Sequence, residues 1–163
     1  RLAPRRAMSG RRTLALGAAA IREAYEETGF LIGGPADGNA RPPADWRAFF
    51  AHGLAPDLSG LRFFMRAITP PGRTRRFDNR FFAVDAARIA KSLPAADCPT
   101  EELEERRFIA IDEALAMEVP RVTAVALQEL KTRLSAKTPF EDTRPVPFYR
   151  MVHREAPYVG VVP

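Results

Sequence analysis

Apolar residues recur at helical intervals from Thr13 onward. Leu14, Ala18, Ile21 and Tyr25 fall within roughly 60° of one another at about 100° per residue, which predicts an amphipathic helix. Thr13 is placed to cap its start, and Gly29 suits the left-handed residue that ends a helix. "FLIG" then reads as a short strand entering a loop, "GPADGNARPPA", rich in Gly, Pro and Asp. "DWRAFFAHG" predicts a short helix capped by Asp45, with Trp46, Phe49 and Phe50 covering the core. "LRFFMRAIT" and "FDNRFFAVD" predict two strands, and the turn "PPGRTRR" between them makes a hairpin with a basic connection. "DAARIAKSL" reads as a short helix, "ELEERRFIAI" as a strand and "DEALAM" as a helical turn. "PRVTAVALQELKTRLSAK" is a further helix, with Pro120 at its start and Val122, Val125, Ala126 and Leu130 along one face. "VPFYRMVH" predicts a last strand, and no internal repeat is visible.

The length of 163 residues and the 46% apolar content suit one globular domain with one sizeable core. Residues 1–12 carry five arginines with little apolar pattern and read as a basic, mobile lead-in. No apolar run approaches the ~18 residues of a membrane span, so a soluble protein with no membrane partner is expected. The single Cys98 excludes an internal disulfide framework and a Cys-rich zinc pattern, and with it the expected compartment is reducing and cytoplasmic. Of 25 basic residues only Lys91, Lys131 and Lys137 are lysines, leaving 22 arginines under a net charge of +5. Arginine holds phosphate in a fork geometry, but Arg with abundant Ala also follows from codon composition, so charge alone decides nothing. His52 and His153 lack metal-ligand spacing and suit ordinary surface or partly buried roles.

The chemistry concentrates in the first helix. Glu23, Glu26 and Glu27 span about 100° on the side opposite its apolar face. Carboxylates at such spacing repel by roughly 0.2–0.5 kcal/mol per pair, so stability does not recommend the arrangement. A hard divalent cation reverses the sign, since magnesium takes oxygen ligands and bridges phosphate oxygens. The plain alternative is a solvated acidic face with Arg22 in ordinary surface pairs.

The order of the residues favours the cation. "REAYEETG" matches the second half of the Nudix motif, R-E-apolar-x-E-E-x-G, at Arg22, Glu23, Glu26, Glu27 and Gly29, and Phe30 supplies the apolar position that follows. The chain thus resembles the Nudix hydrolases, which cut pyrophosphate linkages in nucleoside diphosphate derivatives. The resemblance implies an α/β fold with a mixed β-sheet sandwiched between α-helices. It implies Mg2+ or Mn2+ held by Glu23, Glu26 and Glu27, with Arg22 orienting a carboxylate. The full motif opens with a Gly and a Glu whose positions fall here at Met8 and Leu14, so its first half is absent in normal spacing. Either the site has degenerated or a long insertion separates the halves. The insertion is favoured because "ALGAAAIREAYEETGFLIG", "AITPPGRTRRFDNRFF" and "RPVPFYRM" also resemble the long-insertion subfamily that includes coenzyme A diphosphatases. Residues 1–12 then end the insertion, and 13–163 form a Nudix domain whose upstream strands are not recognisable.

Two further groups join the expectation. Arg73, Arg75 and Arg76 precede Phe77 in the hairpin turn, where guanidinium donors would bind phosphate and the ring would contact a base. The competing reading is a solvent-facing turn. By resemblance, Glu102, six positions before Phe108, is an extra metal ligand or general base, with Glu101, Glu104 and Glu105 as near rivals and Glu27 as a competing base. The expected partner is a small-molecule nucleoside diphosphate derivative, with coenzyme A or acyl-coenzyme A first and ADP-ribose or a nucleotide sugar next. A homodimer is compatible with this. A non-catalytic nucleotide- or partner-binding protein is the main rival, and nucleic-acid binding through the basic surface is weaker still.

Overall fold

The computed structural model describes residues 10–69, 72, 74–100, 106–136, 145–153 and 156–161. Helix α1 covers Gly10–Thr28, three residues longer at its start than expected, so 10–12 of the anticipated lead-in are helical. Thr13 is therefore no cap; it is buried inside the helix with Gly17, Ile21 and Tyr25. Leu14, expected on the packed face, is 55% exposed. The helix is turned so that Gly17 meets the Leu58–Leu61 loop, where an added Cβ would lie 2.8 Å from Leu58 Cδ2.

Strand β1, Phe30–Pro35, leaves this helix and is central in a three-stranded antiparallel sheet, flanked by β2, Leu54–Pro56, and β5, Ile89–Ser92. It runs two residues beyond the predicted "FLIG". Between β1 and β2, Leu54–Pro56, the chain makes a 3-10 turn, Ala44–Trp46, and the short helix α2, Arg47–Phe50. Asp45 lies within that turn and caps neither element, because no side-chain cap bond forms at Pro43 or Trp46.

The second sheet has the order β4-β3-β6-β7, with β3 Arg62–Ile68, β4 Asp78–Ala83, β6 Pro147–His153 and β7 Ala156–Val161. The predicted hairpin is β3–β4, antiparallel, and β6 runs parallel to β3. The final strand β7 is an addition to the sequence reading. "DAARIAKSL" is not a helix: Asp85 accepts from Ala87 N at 2.9 Å to cap a single 3-10 turn, after which Ile89–Ser92 forms β5 against β1. The pairing Phe30↔Ser92 and Leu31↔Lys91 supplies backbone partners that no local pattern announces. "ELEERRFIAI" gives no strand over 106–110, and 101–105 lie outside the described residues. Helices α3, Ile111–Ala116, and α4, Arg121–Leu134, follow as expected.

Among the described residues the architecture is mixed α/β, with two small sheets where a single mixed sheet was expected. One core cluster joins Ile21 and Tyr25 of α1 to Leu31, Ile32, Phe49, Leu61 and Leu93, with Trp46, Phe50 and Phe82 packed against it. The other joins Phe64, Met65 and Ala67 of β3 to Ala126 of α4 and Tyr149 of β6, with Val122, Val125 and Leu130 alongside. Strand β4 touches both, through Phe82 to the first and Phe81 to the second, as the alternation of strand side chains requires. Among the described residues no helix is long and apolar enough to cross a membrane.

Candidate functional site

The buried stripe of α1 decides where its charges point. With Ile21 and Tyr25 in the core, the remaining surface of the same turns carries Arg22, Glu23, Glu26 and Glu27, of which Glu23 and Glu27 are exposed. Arg22 sits amid carboxylates: its guanidinium is 3.8 Å from Glu23, 3.6 Å from Glu26 and 3.4 Å from Asp45. Asp45 comes from a turn distant in sequence, and no local signal links it to Arg22. The Arg22 Nε atom is buried without a hydrogen-bond partner, the Glu26 oxygen being too far to accept.

The inner face fixes the register of these groups. Tyr25 meets Phe49 edge-on at 5.3 Å, and its hydroxyl lies 3.5 Å from His52 Nε2, while Lys91 Nζ is 3.3 Å from His52 Nδ1. Burial, and after it the neighbouring Glu26 carboxylate, raises the Tyr25 pKa, so the phenol stays neutral.

The end of the helix is closed by groups brought from afar. Gly29 adopts φ 67°, donates to Tyr25 O at 2.8 Å, and accepts from Leu93 N at 3.0 Å. The helix has no basic residue in its last turn, although Glu26 and Glu27 stand there against the dipole, each an unfavourable placement of roughly 0.3–1 kcal/mol. Arg106 supplies the missing cation. It donates to Thr28 O and, at 2.8 Å, to Leu93 O. Thr100 Oγ1 donates to Glu26 O at 2.8 Å. Neither residue carried a sequence signal for this role, because both reach α1 only through the fold.

The oxygen donors suit a hard cation. Among the described residues, no group of three or more His, Cys, Asp or Glu side chains gathers closely enough to hold a metal ion by itself. Magnesium does not require such a cage, since it keeps several waters and takes one or two carboxylates plus substrate phosphates. The exposed Glu23 and Glu27 and the half-buried Glu26, on one face at the electronegative end of a helix, fit that requirement.

The second predicted group stands apart. Arg73 and Glu102 lie outside the described residues, as do Glu101, Glu104 and Glu105. Arg75, Arg76 and Phe77 are exposed at the tip of the β3–β4 hairpin, where Arg76 Nε donates to Thr69 O at 3.3 Å and Phe77 N to Thr69 Oγ1 at 2.9 Å. Among the described residues no hydrogen bond or ion pair links these three to α1. Below the tip, Arg66 grips Asp78 through two bonds of 2.8 and 2.9 Å, holding the Asp78 carboxyl below the usual range. No family model, curated protein or solved structure matches the chain.

Proposed function

We propose that the chain is a metal-dependent pyrophosphohydrolase of the Nudix type, acting on a nucleoside diphosphate derivative, with coenzyme A or acyl-coenzyme A as the first substrate class to try. The observation that carries the reading is the placement of "REAYEETG": Arg22 within 4 Å of Glu23 and Glu26, Glu27 exposed on the adjoining surface, and Gly29 turning the chain at φ 67°. Glu23, Glu26 and Glu27 would hold Mg2+ or Mn2+. When bound, the metal supplies charge neutralisation on the phosphoryl oxygens and a lowered pKa for an attacking water. The chain's own residues do the rest. Arg22 holds Glu23 and Glu26 in place, Gly29 and Arg106 fix the end of the helix that presents them, and Glu27 is exposed where it can accept a proton from water. Arg75 and Arg76 offer donors to substrate phosphates from the hairpin.

The test uses native chain and its Glu26→Gln/Glu27→Gln variant with coenzyme A, ADP-ribose and nucleotide sugars, with magnesium or manganese, reading products by mass. Native protein is expected to release two phosphate-bearing halves, and chelator to stop it. The variant is expected to lose more than about 100-fold in kcat/KM, since metal stabilisation of such a transition state amounts to several kcal/mol. Undiminished turnover in the variant would remove the glutamates from the mechanism. The Met8 and Leu14 positions favour a second reading, a nucleotide-binding protein without turnover, for which tight metal-independent binding with no products is the expected result.

A further inference from the structure

An aromatic surface stands open beside the glutamate helix. Phe108 is 75% exposed, more than any other large apolar side chain among the described residues. A single exposed ring is ordinary in itself, but this one is held. It stacks on Phe30 with centroids 5.7 Å apart and planes 14° from parallel. Arg106, fixed by its bonds to Thr28 O and Leu93 O, places its guanidinium 5.7 Å from the centre of the Phe30 ring.

The stack is tied to the same helix end that presents the carboxylates. Phe30 follows Glu27 by three residues, so the two backbones are at most about 10 Å apart. A ring already stacked and braced loses little freedom when a second planar group settles on it. Exposed aromatic rings take nucleobases in this way, whatever the base, because every base offers a π-face. Arg107, exposed beside Phe108, adds positive charge for a nucleotide's anionic groups.

We infer that Phe108, backed by Phe30 and Arg106, is the stacking platform for the nucleobase of the nucleotide bound at the Glu23/Glu26/Glu27 face. The inference takes its occupant from the hydrolase reading above, and it moves the base contact from Phe77, at the tip of the β3–β4 hairpin, to Phe108.

Equilibrium binding of ADP and of inorganic pyrophosphate to the full chain tests it, comparing native protein with Phe108→Ala and Phe108→Trp. The expected result is a roughly 10- to 100-fold loss of ADP affinity in Phe108→Ala, with pyrophosphate affinity unchanged. Phe108→Trp is expected to keep ADP affinity and to change its fluorescence on binding. Equal ADP affinity in native and Phe108→Ala, or no ADP binding by native protein, overturns the platform. The two readings fail separately. Phe108-dependent ADP binding with no hydrolysis of any substrate leaves the platform and removes the hydrolase, whereas Glu26/Glu27-dependent hydrolysis with ADP affinity indifferent to Phe108 does the opposite. The ring is exposed, so its removal leaves the core intact, and circular dichroism of each variant checks this.

Discussion

At the scale of single residues, Gly29 shows how a position can be both legible and underestimated. Its place after the last helical turn predicts a left-handed residue, and φ is 67°. What the sequence does not reveal is the crowding: an added Cβ would lie 2.8 Å from Cys98 Sγ, 3.0 Å from Arg106 Nη1 and 3.1 Å from Leu93 Cβ. Those three neighbours arrive from a segment 64 to 77 residues downstream. Gly29→Ala therefore combines a left-handed penalty of roughly 1–2 kcal/mol with overpacking of roughly 1–3 kcal/mol. Chemical denaturation should show a loss of about 2–5 kcal/mol, and a loss below about 1 kcal/mol would mean that Arg106 and Cys98 move aside freely. Arg22 makes the same point for the site. Its neighbours Glu23 and Glu26 follow from helix spacing, while Asp45 could be found only in the fold.

At the scale of elements, the hairpin β3–β4 was readable because its apolar runs and its turn are contiguous, and its mouth is locked by charge. Asp78 accepts from Arg66 and Arg80, and the Arg66 fork is the main cause of its lowered pKa, working against partial burial. A carboxyl whose folded pKa lies below its unfolded value stabilises the fold above the unfolded value, near 3.9, and loses that contribution as pH falls through the folded one. Asp78→Asn should cost about 1 kcal/mol at neutral pH, a figure reduced for the partial solvent exposure of the pair. The gap between variant and native should close as denaturation is repeated below about pH 4. A gap that persists in acid would assign the loss to packing. The elements that sequence misread are those whose partners are remote. Ile89–Ser92 carries a helix-like spacing, yet it pairs with β1, and 106–110 look like a strand, but there Phe108 stacks on Phe30 and Arg106 closes the end of α1. Period and propensity describe a segment alone, and in both cases a partner elsewhere in the chain settled the outcome.

At the scale of the molecule, the question is whether two core clusters and two sheets behave as one. The first cluster is built on α1 and the β1 sheet, the second on β3 and α4. They meet at β4, where Phe82 packs beside Phe63 at 5.5 Å and Phe81 beside Phe64 at 6.3 Å. The bulge in β3 at this point breaks the alternation, so that Phe64 and Met65, adjacent in sequence, both enter the second cluster. A strand shared in this way makes loss of one cluster expose the other, which predicts a single cooperative transition. Phe49→Ala in the first cluster should cost about 3–5 kcal/mol and Met65→Ala in the second about 2–5 kcal/mol. Both should shift the same transition. The lone tryptophan, Trp46, packs against the first cluster, so its fluorescence reports that side while far-ultraviolet circular dichroism reports the whole. Coincident curves in native protein and in both variants are expected. If Met65→Ala instead lowers the dichroism midpoint while the Trp46 midpoint stays fixed, the clusters fold independently, and the glutamate face then depends only on α1 and the sheet beneath it.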